Sequence, residues 1–265
     1  MVNTKIMSGI LFNDIIFGPI HSRRLGCSLG INLLPKNIKL CTFNCIYCEC
    51  GWGKTKEVDY SLLHKAADML PVMEEFMRQL KGKGTVPDSI TYSGNGEPTL
   101  HPEFGVITDG LIRLRDTYFP KAIITCLSNA TQLHRPDVVA ALQKIENPLL
   151  KLDAGTQETF VRMNQPFVDL DIETLTRQLE AFQGKLTIQT MFLRGTLDDG
   201  TVIDNTTEAE VSAWLERIRR ISPHTVMLYP IDRETPARQL VKVGAEVLNP
   251  IADRLRIMGI TPKVY

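Results

Sequence analysis

The sequence predicts an α/β fold, an open, partial parallel (β/α)6 TIM-type barrel, and three observations predict it. Short β-rich runs alternate with segments of helical periodicity along most of the chain. About six such units can be counted, too few to close an eightfold barrel. The 265 residues are 43% hydrophobic and 23% charged, enough apolar material to fill such a core without disulfide staples.

Residues 1–36 read as an N-terminal extension with Gly and Pro turns and a first strand at 30–34. Residues 37–235 read as the core and 236–265 as a C-terminal helix and tail of the same single domain. After a Cys-rich loop, 60–80 reads as a long helical segment that Pro71 kinks or divides. The run SITYS at 89–93 reads as a strand, followed by a helix over 103–118 in which Phe104, Ile107, Leu111, Leu114 and Tyr118 recur every three or four residues. The same unit repeats as AIITCLS with a helix over 136–145, and as PLLKLD with a helix over 171–183 carrying Ile172, Leu175, Leu179 and Phe182 on one face. LTIQTMFL is followed by a helix over 207–221, where Thr207 and Glu210 have capping-box spacing before the stripe Val211, Trp214, Leu215 and Ile218. TVMLYPI and a helix over 245–258 complete the series. Strands alternating with helices imply a parallel sheet with right-handed crossovers; a doubly wound sheet is the alternative architecture.

Lys plus Arg and Asp plus Glu each number 30, a formal net charge of zero. That removes a whole-chain electrostatic case for nucleic acid or an anionic membrane and leaves only local basic patches open. The run MVNTKIMSGILFNDIIFGP lacks the basic start, long apolar stretch and small-residue cleavage site of a secretion signal, and no apolar run reaches spanning length. The expectation is a cytoplasmic protein with no membrane partner. Cys41, Cys45, Cys48 and Cys50 lie too close together for a disulfide framework, so a metal centre is the better reading. Cys126 alternates within a strand and reads as core. His21, His101 and His134 show no ligand spacing and read as structural or surface residues.

Cys41-Thr-Phe-Asn-Cys45-Ile-Tyr-Cys48 offers three thiolates on one short loop in the form C-x3-C-x2-C. Three ligands to a four-iron cluster leave one iron open to chelate another molecule, as catalytic zinc keeps an unfilled position. A structural zinc site with Cys50 as fourth thiolate, or a simple reduced loop, is the alternative.

This loop, with aromatic Tyr47 before its last Cys, resembles the signature of the radical-SAM superfamily. The segment 93–98, Ser-Gly-Asn-Gly-Glu-Pro, follows the next strand and resembles the family's Gly-Gly-Glu-Pro segment. The resemblance implies a [4Fe–4S] cluster on Cys41, Cys45 and Cys48, and S-adenosylmethionine (SAM) as cofactor. By resemblance Tyr47 packs near the adenine, and Gly94, Asn95, Gly96, Glu97 and Pro98 hold the methionyl amine. A carboxylate suits that task because it accepts charge-assisted hydrogen bonds from an ammonium. Ser128, Asn129, Asp153 and Gln189, at or near later strand ends on the ligand-binding face of a parallel barrel, correspond to family contacts with ribose or carboxylate. Each also suits an ordinary turn or helix cap.

The implied chemistry is reductive: the cluster takes an electron from a flavodoxin- or ferredoxin-like donor and splits SAM into methionine and a 5′-deoxyadenosyl radical that abstracts hydrogen from a substrate. Residues 17–26 and 28–31 resemble a bacterial and archaeal branch near the wyosine synthetases of tRNA, over roughly residues 17–233. Wyosine synthetases carry a further upstream Cys set for an auxiliary cluster, whereas here only Cys27 lies upstream of the loop. Arg23 and Arg24 suit an anionic substrate or the SAM carboxylate, with Arg194 and Arg233 as further candidates. An RNA base and a small molecule are both open as substrate. An activase that installs a glycyl radical on a partner protein, or a cluster-carrying module without SAM turnover, are the other function classes.

Overall fold

The computed structural model describes residues 9–53 and 59–265. The N-terminal reading above falls partly on residues 1–8, outside the described residues. The chain begins with an antiparallel pair, β1 (Ile16–Ser22) and β2 (Gly26–Ile31). The cysteine loop follows, then a 3₁₀ turn at Tyr60–Leu62 and α1 (Ala66–Gly82). Next come β3 (Ser89–Tyr92), α2 (Phe104–Tyr118), β4 (Ile123–Ser128), α3 (Pro136–Leu142) and β5 (Asn147–Lys151). Two helices, α4 (Gln157–Asn164) and α5 (Ile172–Glu180), lead to β6 (Thr187–Thr196). The rest is β7 (Val202–Asp204), α6 (Glu208–Ile221), β8 (Thr225–Pro230), β9 (Gln239–Lys242), α7 (Ala245–Ile257) and β10 (Thr261–Val264).

The strands run in the order β1-β2-β3-β4-β5-β6-β8-β10, parallel from β2 onward, and the path does not return from β10 to β1. This is the open partial barrel expected. Ile90 and Tyr92 of β3 face the helices, with Tyr92 Oη donating to Thr108 of α2 at 3.2 Å, while Ser89 and Thr91 line the opposite face. The core lies between sheet and helices. On α6 the buried stripe Val211, Trp214, Leu215 and Ile218 packs inward, each residue contributing about 1.5–3 kcal/mol of burial. Trp214 meets Phe192 of β6 edge to face at 5.5 Å. Among the described residues no helix is long and apolar enough to cross a membrane.

Four local expectations are corrected. The segment read as a helix over 60–80 breaks at 63–65, and Pro71 sits inside α1 without ending it. Its missing N–H falls early in the helix, where only one hydrogen bond is forfeited. Helix α4 is an addition the sequence did not announce, because eight residues carry too little periodicity. The tail expected after the last helix carries a strand, β10, which pairs in parallel with β8. At α6 Thr207 caps Glu210 N at 3.3 Å, but the Glu210 side chain turns away to accept from Gly155 N and Thr156, tying the helix start to the loop after β5.

Candidate metal and cofactor site

The cysteine loop lies over the carboxyl ends of the parallel strands, and backbone pairing holds it on both sides. Leu40 bridges to Gly96: Leu40 N donates to Asn95 O at 2.8 Å and Glu97 N to Leu40 O at 3.0 Å. Gly96 has φ +136° and lies so close to the Leu40 backbone that a Cβ would not fit. On the other side Asn44 N and Ile46 N donate to Asn164 O and Met163 O at the end of α4, at 2.9 and 3.0 Å. The glycine-permitted approach of Gly96 to Leu40 therefore seats the loop itself, while Gly94 lies against Asn32 just after β2.

Cys45 is buried, while Cys41 and Cys48 are half-buried. Two of the three sulfurs have an N–H donor. Phe43 N and Asn129 Nδ2 both lie 3.5 Å from Cys41 Sγ, and Asn164 Nδ2 lies 3.4 Å from Cys45 Sγ. Beside Cys48, Cys50 Sγ donates to Gly94 O at 3.3 Å. The neighbouring Cys50, with the Lys39 charge, brings the Cys48 thiol down to about 5, whereas burial pushes Cys41 up to about 12. Lys39 is 5% exposed and donates to Gly51 O at 2.8 Å. Burial opposes its charge, yet Cys48, Cys41 and Cys45 leave its pKa raised. Among the described residues no three His, Cys, Asp or Glu side chains converge on a single-ion site. A four-iron cluster makes a different demand, one thiolate per corner, and three separate sulfurs beside the Lys39 cation, two of them with N–H donors, fit that demand.

Glu97 is 2% exposed. Its Oε1 accepts from Thr99 N, Thr99 Oγ1 and Ser128 Oγ at 3.1, 2.5 and 2.9 Å, and its Oε2 from Asn129 N at 2.6 Å. No cation pairs with it among the described residues, and burial pushes its carboxyl up. Asn129 continues the chain of bonds, donating to Thr42 Oγ1 at 2.9 Å as well as to Cys41, so the ends of β3 and β4 and the cysteine loop are linked. Asn95, by contrast, is spent on structure: its side chain bonds Phe12 and Pro35 backbone groups. Pro98 begins a buried 3₁₀ turn over 98–100, capped by Glu97.

The ends of β5 and β6 hold the other side of the loop. Tyr47 Oη donates to Asp153 Oδ2, which also accepts from Asn164 Nδ2 at 2.9 Å and pairs with Lys151 Nζ at 3.3 Å. Met191 N donates to Asp153 Oδ1 at 2.9 Å. Burial, then Asp153, raises the Tyr47 phenol well above its ordinary value. Gln189 accepts from Tyr229 Oη at 3.4 Å.

No family model matches the chain. A UPF0026 protein from Synechocystis sp. is 31% identical over 244 residues, spanning 90% of this chain and 84% of the relative. The chain belongs to the UPF0026 family. The UPF0026 fold is similar to that of a radical SAM methyltransferase from Sphaerobacter thermophilus, with TM-score 0.62 at 17% identity, over 90% of this chain and 65% of the neighbour. It is also similar to SuiB of Streptococcus suis, solved bound to S-adenosylmethionine, with TM-score 0.57 at 14% identity, over 89% of this chain and 46% of the neighbour. Less than two thirds of either neighbour's length is spanned. The shared architecture is the unclosed partial barrel.

In the UPF0026 chain the Cys, Glu97, Ser128, Asn129, Tyr47, Asp153 and Gln189 positions all gather at this rim. Arg194 does not: it lies on the extension of β6, bonded to Asp204 and Thr206. Cys126 and His101 are buried outside the loop, and His134 bonds Thr131 O. Sequence reasoning missed Lys39, Lys151 and Asn164. Lys39 stands two residues before the first Cys and Lys151 two before Asp153, which is the signal that was available; Asn164 had none, because α4 itself was unseen.

Proposed function

We propose that this UPF0026 protein is a radical-SAM enzyme in which Cys41, Cys45 and Cys48 hold a [4Fe–4S] cluster and the adjoining rim holds SAM. The observation that carries this reading is the charge pattern: three thiols beside Lys39, two of them with N–H donors, next to a buried carboxylate, Glu97, that lacks a cation among the described residues. When bound, the cluster and SAM supply one-electron cleavage of the sulfonium and a 5′-deoxyadenosyl radical that takes hydrogen from a substrate.

The chain's own residues hold and orient. Glu97 Oε2 has one donor, Asn129 N, and so keeps a lone pair for the methionyl ammonium. That cation would relieve the burial cost that now raises the Glu97 carboxyl. Because Asn129 touches Glu97, Thr42 and Cys41, the ligand that settles on Glu97 is placed in register with the cysteine loop. Tyr47, fixed by Asp153 and Lys151, gives the loop an immobile aromatic wall. The narrower likeness to wyosine-synthetase-related proteins rests on residues 17–26 and 28–31; neither the relative nor the structures named above carry that description, and zero net charge gives RNA no general attraction. A one-electron donor of flavodoxin or ferredoxin type is the partner such chemistry requires.

The test is anaerobic. Wild type and Cys45→Ala protein are reconstituted with iron and sulfide, reduced with dithionite and given SAM, and 5′-deoxyadenosine is quantified by mass spectrometry. Product from wild type alone is expected; a wild type that holds four irons and binds SAM yet forms none would overturn the reading.

A further inference from the structure

Three of the four arginines noted in the sequence are neutralised on the surface. Arg23 pairs with Asp232 at 2.6 Å, Arg194 with Asp204 at 3.2 Å and Arg233 with Glu49 at 2.5 Å. Arg24 has no carboxylate partner among the described residues, and its Nη1 is buried without a hydrogen-bond acceptor. A guanidinium does not deprotonate in a protein, and leaving a buried donor unmade costs about 1–3 kcal/mol. The fold therefore holds a cation that a ligand can satisfy.

Its position says which ligand. Arg24 belongs to the turn between β1 and β2 at the amino end of the parallel strands, and its side chain reaches across the barrel's open side to lie over the Tyr229 ring of β8, 4.7 Å from the ring centre. Stacking on a ring occupies a face of the guanidinium and leaves its in-plane N–H groups free for a planar or tetrahedral oxyanion. Two cavities meet there. One, of about 290 Å³, extends from Cys50, Gly94 and Gly96 past Phe17 and Leu127 to Arg24. The other, of about 340 Å³, lies at the strand starts among Ser89, Thr125, Thr187 and Lys263. The acids bordering the second are engaged elsewhere: Asp88 accepts from Cys27 N at 2.8 Å, and Glu146 from Arg115 Nη1 at 2.8 Å and Ile124 N at 2.9 Å. In the first, Glu49 is held by Arg233.

We propose that Arg24 is the oxyanion-binding residue of the lumen and that the substrate carries a carboxylate or phosphate group seated on it, with an apolar portion running between Phe17 and Leu127 toward the cysteine loop. The assignment of that group to a substrate rests on the radical-SAM reading; the oxyanion site does not. SAM's own carboxylate is the other source of the same chemistry, and the experiment separates the two.

Inorganic phosphate is titrated at constant ionic strength into the cluster-loaded wild type, Arg24→Gln, Arg24→Lys and Arg194→Gln proteins, with the thermal midpoint as readout, and SAM affinity is measured for each by equilibrium dialysis. Wild type and Arg194→Gln are expected to gain stability with phosphate, Arg24→Gln to need at least about tenfold more phosphate for the same gain, and Arg24→Lys to fall between, because it keeps charge without the fork. The ligand-free midpoint of Arg24→Gln reads whether it folds, the change removing a half-buried guanidinium whose Nη1 lacks an acceptor. Undiminished SAM affinity in Arg24→Gln supports a substrate group; a parallel tenfold loss keeps the site but overturns its assignment to the substrate. No phosphate response in wild type, or an equal response in Arg24→Gln, overturns the proposal. A wild type that responds to phosphate but forms no 5′-deoxyadenosine contradicts the radical-SAM reading and leaves the site standing.

Discussion

The two sides of the rim grip the same loop with carboxylates in opposite electrical states. At the ends of β3 and β4, Glu97 is surrounded by four neutral donors and, among the described residues, no cation. At the end of β5, Asp153 is matched by Lys151, with side-chain exposures of 0% and 14%. Hydrogen bonds lower the cost of burying a charge without cancelling it, whereas an ion pair closes the account of charge locally. The difference teaches which side the protein's own charges complete and which side, on the proposed reading, a ligand's cation would complete.

Breaking the finished side has the largest expected effect. Asp153→Asn strands the Lys151 ammonium and should cost about 3–5 kcal/mol in denaturant unfolding of the cluster-free protein. A cost below about 1 kcal/mol would mean that water already solvates the pair and that the contrast is unfounded.

Glu97→Gln attacks the unfinished side. It should cost less stability than Asp153→Asn, because no partner charge is left behind, but about 2 kcal/mol or more of SAM affinity by equilibrium dialysis. The wild-type affinity should also fall as pH is lowered. Only the ionised carboxylate attracts an ammonium, and since burial raises this pKa, the fall should begin above the ordinary value of 4.5. Affinity flat through that range would remove Glu97 from ammonium binding.

Lys39→Met tests the charge under the loop rather than at its rim. Removing a cation beside the thiolates disfavours the added electron, so the cluster's midpoint potential should drop, on the order of 60 mV for a tenfold change in a one-electron couple. Redox titration followed by electron paramagnetic resonance reads this directly; an unchanged potential would make Lys39 a structural staple for Gly51.

The smallest effect belongs to the outer surface, where Glu173 pairs with Arg217 and Arg220 at 2.9 and 2.6 Å. Hydrogen bonds from Arg220 and then Arg217 bring this carboxyl from 4.5 down to about 2. A depressed acid stabilises above its unfolded pKa and loses that contribution as pH falls through the folded one. The melting difference between wild type and Glu173→Gln should therefore be slight at neutral pH and vanish between about 4.5 and 2. A difference that grows with acid would reverse the sign and discard the pairing.

The sequence by itself determined the parts that depend on local pattern. Strand alternation and helix period mark β3, α2, β4, β5, β6, α6, β8 and α7, and the C-x3-C-x2-C spacing marks Cys41, Cys45 and Cys48, because these features are written in neighbouring residues. Short pieces escaped it: α4 has only eight residues, and β10 becomes a strand only because β8 offers an unpaired edge. Tertiary structure alone decided the charges. Asp153 and Glu97 are both carboxylates at strand ends in sequence, and only packing shows that Lys151 neutralises one while no cation among the described residues neutralises the other. Of the adjacent Arg23 and Arg24, one meets Asp232, far along the chain, and the other enters the lumen unpaired. Coulomb energy depends on distance in space and on burial, and neither quantity is encoded in residue order.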